Sequence, residues 1–130
     1  MTLTSLLSSL IITIVPLGGQ LPNSDDICGW EVWGTYYEWQ IWICEWSEQY
    51  VIKHEEWHFI EDKYLTEAQR EQYKALYSKH HKLGVRAFQR DYGYSDWQES
   101  FAEDYSSWKT NESVNIYTKQ RIKLIKSLLK

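Results

Sequence analysis

The stretch from Val51 to Asp62, VIKHEEWHFIED, constrains this chain more than any other. His54, Glu55 and His58 make an H-E-x-x-H string. On a helix the two histidines stand one turn apart on one face, so both imidazoles can converge on one metal ion. Glu55 flanks that face, where its carboxylate can take a proton from a metal-bound water. A hydrolytic zinc needs three protein ligands and one open position. Glu61 lies about 10 Å along the helix axis from His54, and Asp62 is no nearer, so neither can share the ion with both histidines. The third ligand must come from a second helix. Glu99 and Glu103, one turn apart in Glu99-Ser100-Phe101-Ala102-Glu103, both meet that demand. His80 and His81 are rival ligands. As adjacent residues at a helix end they are expected to face solvent and the negative end of the helix dipole instead.

The remaining punctuation predicts alternating element types. Leu10 to Val15 reads as a buried strand or a short helical turn, closed by Pro16, Gly18 and Gly19. Residues 16–29 read as loop. Trp30, Val32 and Gly34 alternate with Glu31 and Trp33, and Trp39, Ile41 and Ile43 alternate with Gln40, Trp42 and Cys44, which predicts two antiparallel strands with a turn or bulge at Gly34-Thr35. An edge strand over Trp39–Cys44 could hold an extended peptide by backbone pairing. The metal-carrying helix is expected from about Glu48, capped by Ser47. Thr66 and Gln69 form a capping box for the next helix, which ends near His81 with Gly84 beyond. Residues 85–94 read as a connection or short strand. Ser95 opens a third helix, with Gln98 at the capping-box position. The tail carries an apolar stripe of Ile122, Ile125 and Leu129 beside Lys119, Arg121, Lys123, Lys126 and Lys130, the pattern of an amphipathic helix whose basic face is expected to be solvated, ahead of a membrane-surface or acidic-partner patch.

Bulk properties narrow the function. A length of 130 residues suits one domain. A net charge of -4 argues against a general nucleic-acid binder. Eight Trp and ten Tyr can fill a small core, line a substrate cleft, or both. Cys28 and Cys44 can be a disulfide or two buried thiols. In the opening MTLTSLLSSLIITIV neither the basic start nor the cleavage site of a signal peptide is clear, so a signal remnant is the lesser expectation, and the apolar run is too short to span a membrane. It is expected to pack on the chain or to dock on a partner. A cytoplasmic or virion-associated location is expected ahead of a secreted one.

H-E-x-x-H followed by E-x-F-A-E on a helix resembles the glutamate-zincin (gluzincin) metallopeptidases, in particular the compact catalytic domains of the anthrax lethal factor group and the Pro-Pro endopeptidases. The resemblance covers residues 32–108. It implies an α+β, zincin-like fold in which an antiparallel hairpin or small sheet precedes a helical part that carries the zinc site. It also implies Zn2+ on His54, His58 and Glu99, with Glu103 supporting a ligand histidine. Glu55 is then the general base, and Tyr92, seven residues before Glu99, the oxyanion donor, with Tyr94 as the alternative. Gly93 would let the backbone pass close to the metal. Position 57 departs from the pattern, since Trp57 stands where the family has a small residue. The chain is thus expected as a single domain, 1–130. It has an apolar segment and loop over 1–28, a catalytic core over 29–108 and a basic amphipathic helix over 109–130. The expected activity is zinc-dependent endopeptidase cleavage of a peptide or protein lying along Trp39–Cys44. The rival is a catalytically silent zinc-binding structural or interaction module, for instance in a viral particle.

Overall fold

The computed structural model describes residues 2–22, 25–29, 33–45, 47 and 49–130. The chain is an α+β arrangement: an N-terminal mixed sheet, then a helical region that carries the candidate metal ligands. Two compact units are present, Met1–Tyr64 and Leu65–Lys130. Among the described residues no helix is long and apolar enough to cross a membrane.

The first unit contains α1 (Leu3–Leu7), β1 (Ile11–Val15), β2 (Gly34–Tyr37), β3 (Gln40–Cys44) and α2 (Gln49–Lys63). The expected hairpin is there, but its turn is Glu38-Trp39, not Gly34-Thr35. Both turn residues have positive φ, 48° and 64°, as a two-residue type I′ connection requires. Neither is glycine, and the Lys63 ammonium sits 3.6 Å from the Trp39 ring centroid, a contact that helps hold the turn. Gly34 is a strand residue. A Cβ there would stand 2.7 Å from the Trp42 carbonyl oxygen, so its glycine serves close strand approach. The expectations for Trp30, Glu31 and Val32, and the helix start at Glu48, lie outside the described residues.

Strand order is β1-β3-β2, with β1 parallel and β2 antiparallel to β3. Gln40–Cys44 is therefore the central strand. Both its edges are paired, so the expected peptide docking along Trp39–Cys44 cannot use it. Side chains of β3 alternate between two clusters, as strand geometry requires. Ile41 and Ile43 pack with Val51 of α2, together with Leu10, Tyr36 and Ile52. Cys44 packs with Val15, Leu21, Cys28 and Trp42 on the other side. Cys28 and Cys44 form a disulfide, with Cα atoms 5.5 Å apart. β1 is less buried than its composition suggests: only Val15 is covered, and Ile11, Ile12 and Ile14 are exposed. The Tyr36 hydroxyl donates to Asp62 on α2 at 2.8 Å, and its ring meets Phe59 edge-on.

The second unit is helical: α3 (Glu67–His81), a 3-10 turn (Val85–Ala87), α4 (Asp91–Ser95), α5 (Trp97–Lys109) and α6 (Ile116–Leu128). The Thr66–Gln69 capping box forms as expected. Gly84, at φ 91°, turns the chain after α3. Residues 85–94 are neither a plain connection nor a strand, because the 3-10 turn and α4 occupy them. Ser95 ends α4, and the cap of α5 is Asp96, whose Oδ1 accepts from the Glu99 amide at 2.8 Å. A carboxylate one residue later does the work expected of the serine.

Candidate metal centre

α2 presents His54 and His58 because a continuous helix puts i and i+4 on one face. His54 is buried, at 8% exposure, and His58 is half-buried. Their Nε2 atoms face each other at 3.3 Å, with ring centroids 5.1 Å apart. A tetrahedral zinc with Zn–N bonds near 2.05 Å would hold two nitrogens about 3.3 Å apart, so the pair has the spacing that ion requires. Two imidazoles and one carboxylate are also a donor set that zinc favours in catalytic sites.

Glu55 follows His54 and is half-buried. Its neighbour Glu56 is turned to a different task, accepting from Lys53 Nζ at 3.0 Å. Trp57, the departure from the family pattern, is wholly buried and serves as core.

α5 carries the other candidate residues. Glu99 lies in its first turn, where the positive end of the helix dipole favours a carboxylate. Glu103, one turn on, is buried, as is Ala102 between them. His54, His58 and Glu99 each offer one ligand atom, and these atoms all lie within 4.8 Å of one another. Of the two glutamates left open by spacing, Glu99 is the one in this cluster. Neither His80 nor His81 belongs to it. The arrangement of His54, Glu55, His58 and Glu99 is consistent with a gluzincin-type H-E-x-x-H zinc-metallopeptidase site, and the cluster supports an active site of that kind.

Compared with models of known families, with curated proteins and with solved structures, the chain matches none. The likeness to gluzincins is therefore carried by the site residues and their geometry.

α4 sets out the two candidate tyrosines differently. Tyr92 is 55% exposed. Tyr94 is half-buried, its ring stacked on His81 at 4.2 Å and edge-on to Phe88, while its carbonyl accepts from the Tyr77 hydroxyl. Gly93 is buried and has ordinary helical backbone. A Cβ there would meet the Glu103 side chain and Phe88 at 3.7 Å, an ordinary contact, so its expected steric role beside the metal has no support.

Behind Glu99 lies a polar network that the sequence did not reveal. The Tyr73 hydroxyl donates to Asp104 Oδ2 at 2.6 Å and lies 2.6 Å from the Ser100 hydroxyl, next in sequence to Glu99. Arg121 grips Asp104 with Nε at 2.7 Å and Nη2 at 3.2 Å. Its Nη1 reaches the Ala87 carbonyl and His80 Nδ1, and its Nη2 also reaches Thr118. Two expectations are corrected here. Arg121 is fully buried rather than on the solvated basic face, and His80 is buried at 1% exposure rather than facing solvent. Burial, and then the Arg121 charge, push the His80 pKa below the usual imidazole value. Because Arg121 donates to Nδ1, the remaining ring proton sits on Nε2 and points at Gln120 Oε1. Burial pushes the Asp104 carboxyl upward against the pull of Arg121. The available signal was the position of Arg121 in the buried repeat Thr118, Arg121, Ile122, Ile125, Leu128.

Proposed function

We propose that this chain is a zinc-dependent endopeptidase. The observation that carries the reading is the pair of Nε2 atoms 3.3 Å apart with a Glu99 ligand atom in the same cluster. His54, His58 and Glu99 would hold the ion. Bound zinc supplies an acidified water and polarises the substrate carbonyl. Glu55, beside His54, takes the proton from the attacking water and delivers it to the leaving amine. Tyr92 hydrogen-bonds the oxygen on which negative charge develops; its exposure supports this role, whereas the Tyr94 ring is committed to packing on His81. Glu103 supports a ligand histidine by accepting its second ring proton. The substrate lies extended and pairs with an outer strand. β2 is the preferred edge, because α2, which carries the histidines, packs on β2 and β3.

Metal analysis and cleavage of a diverse peptide library test the reading together. The wild-type chain should hold one zinc and cleave, and Glu55→Gln should hold the zinc and lose nearly all cleavage. Glu99→Ala should lose most of the zinc. A chain that binds zinc through these residues, yet cleaves nothing, would be the silent module instead.

A further inference from the structure

The basic end of the chain borders an open surface pocket that the zinc chemistry does not use. The last turn of α5, the following loop and α6 surround an open space of about 410 Å3. That volume is within the range of ligand sites. Trp108 and Ile122 give it apolar lining, and Lys119, Lys123 and Lys126 give it charge. The lysines recur at i, i+4 and i+7 of α6, a row about 10 Å long. All three are exposed, and among the described residues none forms an ion pair. The acidic lining residue, Glu112, is already engaged. It accepts from Arg90 Nη2 at 2.7 Å and from the Ser107 hydroxyl at 3.0 Å. The cavity therefore keeps an unbalanced positive charge. Its surroundings agree: residues 65–130 carry twelve Lys or Arg against eight Asp or Glu, whereas residues 1–64 carry two against ten.

We propose that this cavity binds an extended acidic peptide segment, its carboxylates on the lysine row and an apolar side chain against Trp108 and Ile122. Lysines one turn apart stand about 6 Å from each other. A compact anion fits one pair of neighbouring lysines better than the whole row. Alternate side chains of an extended peptide repeat about every 6.6 to 7 Å on one face, which matches the row. A bilayer is the weaker occupant, because Ile125 and Leu128 of α6 are buried, and the little apolar surface left at Ile122 and Trp108 is too small a face to insert into lipid. Glu99 and Trp108 are nine residues apart on α5, about 14 Å along the helix axis. The cavity is thus a second peptide contact, distinct from the metal ligands and able to recruit an acidic partner whether or not the chain cleaves it.

Fluorescence anisotropy of the full chain with a short fluorescein-labelled peptide of alternating glutamate and leucine tests this. A glutamine-for-glutamate peptide, inorganic phosphate and phosphatidylserine-containing vesicles serve as competitors, and mass spectrometry checks that the probe stays intact. Binding should weaken with salt and be displaced by neither the glutamine peptide nor phosphate. It should fall about tenfold in Lys119→Gln/Lys123→Gln/Lys126→Gln, as expected for three exposed ion pairs. These exposed changes should leave the melting temperature unaltered. Equal affinity in the triple variant, equal binding of the glutamine peptide, or displacement by phosphate or vesicles would overturn the proposal. Since anisotropy reads binding alone, the outcome is separate from the fate of the zinc centre.

Discussion

Replacing Arg121 with methionine keeps most of the side-chain volume and removes the whole guanidinium. Five polar contacts disappear, two of them to Asp104. Asp104, only 3% exposed, would be left with the Tyr73 hydroxyl as its remaining partner from this network, and must either hold an uncompensated charge or take up a proton that burial already favours. Stranding a buried charge in this way costs roughly 3 to 5 kcal/mol. For a unit of this size that lowers the melting temperature by roughly 12 °C or more. Thermal melts followed by circular dichroism, with urea titration for the free energy, measure the loss. The decisive comparison is Arg121→Met with Asp104→Leu in the same chain. With the stranded carboxylate gone, at least half of the lost stability should return, because burial already opposes the ionised form of Asp104. Recovery would stop short of complete, since His80 Nδ1 also loses its donor. A single variant costing less than about 1 kcal/mol, or a double variant no more stable than the single, would refute the account of this pair as a coupled buried charge.

Three further outcomes follow from the same geometry. His80 has a folded-state pKa below its unfolded value, so the unfolded chain takes up the proton first. The stability it contributes should be fully present above about pH 6.5 and decline as pH falls below it; His80→Gln should flatten that part of a stability-against-pH curve, and an unchanged slope would contradict the assignment. Reduction of Cys28–Cys44 opens a loop with a sequence separation of 16 and should cost about 3 kcal/mol, read as a lower urea midpoint with dithiothreitol present. Tyr92→Phe should lower kcat about a hundredfold with zinc content and melting temperature unchanged. Tyr94→Phe should leave kcat near normal, and the reverse pattern would move the oxyanion role to Tyr94.

What the sequence determined by itself is what short-range chemistry controls. The H-E-x-x-H face of α2 follows from helix periodicity alone, and the start of α3 from the reciprocal bonds of Thr66 and Gln69. The candidate metal set was legible for the same reason, with the resemblance needed to prefer Glu99 over Glu103. Even local signals misled where two residues compete, as Ser95 and Asp96 do for the cap of α5. Tertiary structure decided whatever depends on a distant partner. β3 became the central strand because β1, far earlier in the chain, pairs with it in parallel. The two cysteines joined because Val15, Leu21 and Cys44 gather on one side of that strand. Arg121 looks like one more surface cation until Asp104 on another helix meets it. Burying a guanidinium is favourable only against a fixed, well-bonded carboxylate, and no reading of either helix by itself supplies that partner.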